Sequence, residues 1–242
     1  MKLKIFTFAV YLACYCASSQ AGIIANSTRV IYQASDREQV INLANTNRYP
    51  VLTQVWIDDG SADPEFKQAP FVTIPAIFRM DAGEIKSIRM IYNLMSLPQD
   101  RESVYWLNLY EVPAVAKSKM DKNYLNLAMN TQMKVFYRPK QLQKLSQEEI
   151  VNQLNFSLIP HSSGFALKLQ NPTPYHVSLL NLKLINTDEK METDIISNTI
   201  LNPFAQAIYP LQKQNQQHKF KIMMLIIDDL GHSKEFYKDL AN

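Results

Sequence analysis

The residues most able to do chemistry are four histidines, His161, His176, His218 and His232. None stands at zinc-ligand spacing from another histidine or a carboxylate, and no H-E-x-x-H occurs. Asp58-Asp59 and Asp228-Asp229 are acidic pairs. Adjacent strand residues point to opposite faces, so neither pair is a dyad for acid–base work. There is no G-x-S-x-G elbow and no glycine-rich phosphate loop, and the whole chain has five glycines. Nucleophile, metal site and cofactor cradle are all missing at the level of local motifs. The chain is predicted not to be an enzyme, with no metal and no cofactor.

What remains is the chemistry of recognition, and it points to NYLNLAMNTQMKVFYRP, residues 123–139. Leu125, Leu127, Met129, Met133 and Val135 alternate there with Asn126, Ala128, Asn130, Gln132 and Lys134. Alternation with period two predicts a long β-strand with two unlike faces. Its first half sets an apolar row, Leu125, Leu127 and Met129, against a polar amide side. At a sheet edge such a row is an aggregation hazard unless another part of the chain, or a partner, covers it.

The elements that must position this strand are mostly strands too. Residues 1–21, MKLKIFTFAVYLACYCASSQA, have the basic start, apolar run and small closing residues of a secretory signal peptide. The apolar run is too short for a comfortable membrane span. Cleavage after Ala21 leaves Gly22 first and removes both cysteines, Cys14 and Cys16. It also removes Lys2 and Lys4, lowering the net charge from +3 to +1. A nucleic-acid partner is therefore not indicated, nor is an integral membrane protein.

From Arg29 to Tyr137, seven or more short strand patterns alternate with turn signals, as in an immunoglobulin-like sandwich. FVTIPAIFRM and IKSIRMIYN flank the turn DAG, and PAVAKSKMDKN reads as a flexible basic loop. Trp56 and Trp106 fall within strand patterns as core residues. Ser146 and Glu149 make a capping-box pattern, so a short helix or a polar linker fits there. LNFSLI, GFALKLQN, HVSLLNLKLIN and KFKIMMLIIDD then form a second β-rich half. KMETDIISNT reads as strand or loop, and the tail HSKEFYKDLAN as helical or frayed. The expected division is a signal peptide over 1–21, one immunoglobulin-like domain over 22–142 and a second over 143–242.

LPQDRESVYWLNLYEVPA, residues 97–114, resembles the signature of the periplasmic chaperones of the chaperone–usher pilus pathway. STRVIY, MKVFYRP, NPTPYHV and IIDDLG extend the resemblance over nearly all of residues 22–231. It implies an all-β chain of two immunoglobulin-like sandwiches in an L or boomerang arrangement, with a cleft between them. It also implies a function in the periplasm: capping pilus subunits by donor-strand complementation and handing them to an outer-membrane usher.

Residue roles follow from the same resemblance. Leu125, Leu127 and Met129 match the donor row that fills a subunit groove. Arg29 and Lys134 match the cations that bind the subunit's C-terminal carboxylate, expected to stand in an open cleft. Glu102, Arg138 and Asp229 match a trio of interdomain ion pairs, although Asp228 and Leu230 depart from the usual wording around Asp229. Leu52, Gln54, Ile77 and Arg89 match an usher-facing patch in which Ala76 replaces a frequent proline. The short loop from Pro113 to Asn123 and the missing disulfide imply the branch that serves rod-like pili. Two rival readings stand beside this one. The first is a secreted two-domain β-sandwich adhesin or carbohydrate-binding module. The second is a periplasmic hydrolase, which has no local motif to support it.

Overall fold

Alternating apolar positions become two stacked sheets in each half of the chain. The structure is a computed structural model that describes residues 22–114, 127–162, 164–187, 191–212 and 219–240. The predicted signal peptide and most of the basic loop after Pro113 lie outside the described residues.

The first unit contains β1 (Ile23–Ala25), β2 (Arg29–Gln33), β3 (Gln39–Asn45), β4 (Val51–Asp58) and β5 (Phe71–Ile74), followed by β6 (Ile77–Met80), β7 (Ile85–Tyr92), β8 (Ser103–Pro113) and β9 (Met129–Arg138). One sheet has the order β1-β3-β7-β5 and the other β2-β9-β8-β4-β6. Their inner faces bring Leu43, Ile88 and Met90 against Val55, Leu107 and Val135 in one core. An aromatic group of Tyr32, Phe71, Tyr92 and Tyr137 fills one end, with Tyr92 and Tyr137 rings 4.8 Å apart.

Two expectations change here. FVTIPAIFRM is two strands, β5 and β6, on different sheets. Pro75 has no N–H for a ladder, and the chain crosses between sheets at that point. Trp56 and Trp106 are not core residues. They lie half-buried on the outer face of the second sheet, because Val55, Ile57, Leu107 and Leu109 take the inward parity.

The second unit opens with α1 (Gln147–Gln153). Its capping box is complete. Glu149 N–H donates to Ser146 Oγ at 3.2 Å, and Ser146 N–H donates to Glu149 Oε2 at 2.7 Å. Next come β10 (Asn155–His161), β11 (Gly164–Gln170), β12 (Val177–Asn186), β13 (Met191–Leu201), β14 (Gln206–Gln212), β15 (Phe220–Ile227) and β16 (Ser233–Leu240). They form sheets β10-β11-β14 and β13-β12-β15-β16 over a second core that includes Leu167, Leu179, Leu182 and Met224.

METDIISNT, residues 191–199, is therefore strand. Within the tail, Ser233–Leu240 is strand as well, paired with β15 from Phe220↔Leu240 to Ile227↔Ser233. Lys238 breaks its apolar row for a reason. Its ammonium donates to the carbonyls of Asn152 and Leu154, at the C-terminal end of α1.

The β15–β16 turn touches the first unit. Gly231 has φ +88°, and a Cβ there would stand 2.3 Å from Thr28 Oγ1. Gly231→Ala thus meets both a left-handed backbone and a collision. Gly83→Ala, at φ +73° in open space, meets only the first. Gly83→Ala is expected to cost about 1–2 kcal/mol and Gly231→Ala measurably more, by urea unfolding of each variant. Equal costs would show that the contact between the units yields freely.

Candidate functional site

The site is built on β9 and the way its neighbours divide it. β8 pairs with β9 along its whole described length, from Glu111↔Met129 to Ser103↔Tyr137. β2 pairs with it in parallel, but only from Arg29↔Lys134 to Gln33↔Arg138. Among the described residues, positions 129–133 have no strand on that second side. This is an open edge, with backbone donors and acceptors facing outward.

The open half begins later than alternation predicts. Leu127 precedes the strand, Met129 is its first residue, and Leu125 lies outside the described residues. Leu127 is 64% exposed and Met129 51%. Met129 shares the inward parity of Met133, Val135 and Tyr137, yet only those three enter the core.

Amide side chains hold the open half from the outer face instead. Asn130 Nδ2 and Gln132 Nε2 both donate to Asn108 Oδ1, at 2.9 and 3.0 Å. Asn108 Nδ2 in turn donates to Asp58 Oδ2 at 2.9 Å, which also accepts from Trp56 Nε1 at 3.1 Å. This network ties β9 to β8 and β4 and accounts for the polar side of the strand. Sequence reasoning did not find it, although the run of amides was its signal.

The parallel register sets Arg29 beside Lys134, although more than a hundred residues separate them in the chain. Arg29 is not a cation in an open cleft: it is only 8% exposed. Its Nη1 reaches Ser178 Oγ and the Ile227 carbonyl, each at 3.4 Å, and its guanidinium stands 5.9 Å from the Phe136 ring centroid. Its buried Nε has no hydrogen-bond partner among the described residues. The second unit, through β12 and β15, is what buries it. Lys134 is half-buried. Burial lowers both pKa values. For Arg29, Asp229, Asp228 and Glu102 act at a distance in the opposite sense, whereas for Lys134 the neighbouring Arg29 lowers it further. Among the described residues neither makes an ion pair. Two partly desolvated cations side by side favour an anion, and a carboxylate offers two oxygens to share between them.

Arg138, two strand positions along the same face, is fully engaged. Its Nε donates to Glu102 Oε1 at 2.7 Å, and its Nη1 and Nη2 grip Asp229 at 2.6 and 2.7 Å. Burial works against its charge, but Asp229 and Glu102 more than offset this and hold it firmly protonated. Glu102 also accepts from the His176 backbone N–H and lies 2.9 Å from His176 Nδ1. Sequence spacing gives His176 no role, since its only signal is the neighbouring NPTPY.

Leu52 and Gln54 on β4 share an outer face with Ile77, which pairs with Gln54. Arg89 stands on the other sheet, on β7 opposite Ile74, with Glu38 at 3.3 Å.

A family model described as the pili and flagellar-assembly chaperone PapD N-terminal domain matches residues 22–143. One described as the pili assembly chaperone PapD C-terminal domain matches residues 149–237. The chain is 32% identical over 227 residues to the probable fimbrial chaperone YadV of Escherichia coli K12, covering 91% of each. It is 36% identical over 182 residues to the chaperone protein FimB/FhaD of Bordetella pertussis, covering 73% of each. The crystal structure of the YadV chaperone superposes with a TM-score of 0.75, over 91% of this chain and 100% of that one, at 31% identity. A chain from the Salmonella enterica SafA pilin in complex with the SafB chaperone gives 0.73 at 26% identity, covering 93% and 99%.

The Arg138 network makes a graded prediction. The Glu102 side chain is 1% exposed and that of Asp229 53%. Arg138→Ala strands a buried carboxylate and is expected to cost about 3–5 kcal/mol. Asp229→Asn removes an exposed partner and is expected to cost at most about 1 kcal/mol. Trp56 and Trp106 both lie in the first unit, so urea unfolding followed by their fluorescence reads this cost directly.

Proposed function

The chain belongs to the family of PapD-like pilus-assembly chaperones, and from that premise we propose that it captures pilus subunits by lending them the open half of β9. That it is a pilus chaperone follows from the family. The adhesin or carbohydrate-binding reading is not favoured, since the relatives are named fimbrial chaperones. The finer reading is ours. A subunit's extended segment adds to the free edge at residues 129–133, and Leu125, Leu127 and Met129 enter an apolar groove on the subunit. At about 1.5–3 kcal/mol each, three such side chains contribute roughly 5–9 kcal/mol before ordering costs.

Arg29 and Lys134 receive the subunit's C-terminal carboxylate. The observation that carries this is their adjacency, partly buried and without an ion-pair partner among the described residues, where β2 begins and the free edge of β9 ends. Glu102, Arg138 and Asp229 fix how the second unit sits over this anchor. Leu52, Gln54, Ile77 and Arg89 serve an outer-membrane usher, and the rod-like pilus branch fits the short loop after Pro113. The site of action is the periplasm. Residues 1–21 read as a cleaved leader, the family match begins at residue 22, and among the described residues no helix is long and apolar enough to cross a membrane.

Two measurements test this. Leu127→Glu puts a charge into an apolar groove at a cost of several kcal/mol. It is expected to abolish subunit capture while leaving the melting temperature of the free protein unchanged, because Leu127 is exposed. Unfolding of the free protein would mean that the row is part of its own core.

The anchor is tested with a peptide carrying the last strand of a subunit. Lys134→Ala is expected to weaken its binding roughly 10- to 150-fold, the loss of a charge-assisted bond of about 1.5–3 kcal/mol. Arg29→Ala should do likewise, with its stability measured alongside because Arg29 also contacts Ser178. The two losses should not add, since both cations serve one group. Amidating the peptide should mimic the mutations and make them nearly silent. Unchanged binding of the free-acid peptide by both variants would remove the anchor.

A further inference from the structure

Glu111 is a buried ionisable group that the proposed capture of subunits leaves unused. It lies on β8 and is 7% exposed. Its Oε2 accepts the backbone N–H of Ile23 at 2.9 Å, and the buried Asn47 side chain also hydrogen-bonds the carboxylate. Burial pushes its pKa up in spite of these two bonds. Among the described residues no Lys, Arg or His pairs with it. A buried carboxylate with no cation is expensive to keep ionised.

The backbone against this carboxylate is that of Gly22. A Cβ on Gly22 would stand 2.2 Å from Glu111 Oε1 and 3.2 Å from Oε2, so a side chain there would collide with it. Gly22 is buried, with φ +77°. Its carbonyl is fixed by two donors, Thr46 N–H at 3.0 Å and Thr46 Oγ at 2.6 Å. Gly22 is thus held against a buried carboxylate, which also accepts the N–H of the next residue, at the position where the leader is expected to end. Charged groups on the adjoining elements are placed elsewhere: Glu84 pairs with Lys86 at 3.1 Å, and Arg48 is exposed.

We propose that removal of residues 1–21 creates a buried ion pair between the new α-ammonium of Gly22 and the carboxylate of Glu111, which locks the mature N-terminus into the first unit. The proposal rests on reading those residues as a cleaved leader. Hydrolysis of the Ala21–Gly22 bond consumes one water, leaving a carboxylate on Ala21 and an amine on Gly22. At neutral pH that amine takes a proton. A neutral amide with one donor becomes a cation with three. Glu111 lies directly across the ladder from Met129, so the lock sits at the root of the open half of β9.

The test uses the exported, processed protein labelled with 13C-glycine, whose few glycines keep the spectrum simple. Intact mass fixes the first residue, and the Gly22 Cα resonance follows the amine through a pH titration. An unperturbed α-amine titrates near 7.7–8.0 (roughly), and the pair is expected to raise this by about one unit or more. Glu111→Gln should return it to the ordinary range. A folded pKa raised in this way adds stability that is fully present below about pH 8 and lost as pH rises through the raised value. Wild-type protein should therefore show that alkaline loss, and Glu111→Gln should not. The wild-type titration decides the matter even if the variant folds poorly. Gly22 first with an amine in the ordinary range overturns the ion pair alone. A different first residue overturns the pair together with the leader reading, while leaving subunit capture untouched.

Discussion

The structure turns on one incomplete pairing. β2 lies parallel to the second half of β9 and begins only there. Had β2 begun earlier, the edge would be closed and nothing could be added to it. Had it been absent, Arg29 would have no reason to stand beside Lys134. One short parallel ladder therefore places the two cations and leaves the neighbouring backbone unsatisfied. Open edges are normally blunted, because they invite indiscriminate pairing. Here the amide network from Asn130 and Gln132 through Asn108 to Asp58 keeps the free half in place without covering its edge.

Relations between the two units depend on burial more than on the number of ion pairs. Arg138 grips Asp229 with two nitrogens, yet Asp229 is largely in water and such a pair contributes little. Its single bond to buried Glu102 matters more, because breaking it leaves a charge with nowhere to go except His176. Arg29 belongs to the same interface through Ser178 and Ile227. The second unit thus desolvates Arg29 itself.

Much of this was legible in the sequence, for identifiable reasons. Alternation located most strands, and the Ser146–Glu149 spacing located α1. Alternation could not say which face was inside where both parities are apolar, as at Val55, Trp56 and Ile57, and so the tryptophans were placed in the core. β14 was hidden by Pro210, which an edge strand tolerates but a strand pattern does not advertise. β16 was hidden by Lys238, whose partners are carbonyls that only the fold brings near. The resemblance named Arg29 and Lys134, but their contact comes from a parallel register that no local pattern encodes. Glu111 gave no signal at all, since its neighbour Gly22 lies at the other end of the first unit in sequence.

Lys238 has one more consequence, for the order of assembly. It fastens β16 to α1, so the earliest and latest described elements of the second unit hold each other. With the chain exported as proposed, the first unit is complete once Arg138 has crossed, whereas the second waits for a segment about a hundred residues further on. In a chain delivered N-terminus first, the half that bears the open edge therefore matures alone for a time, before the half that buries Arg29. During that interval the edge is present and Arg29 is still hydrated.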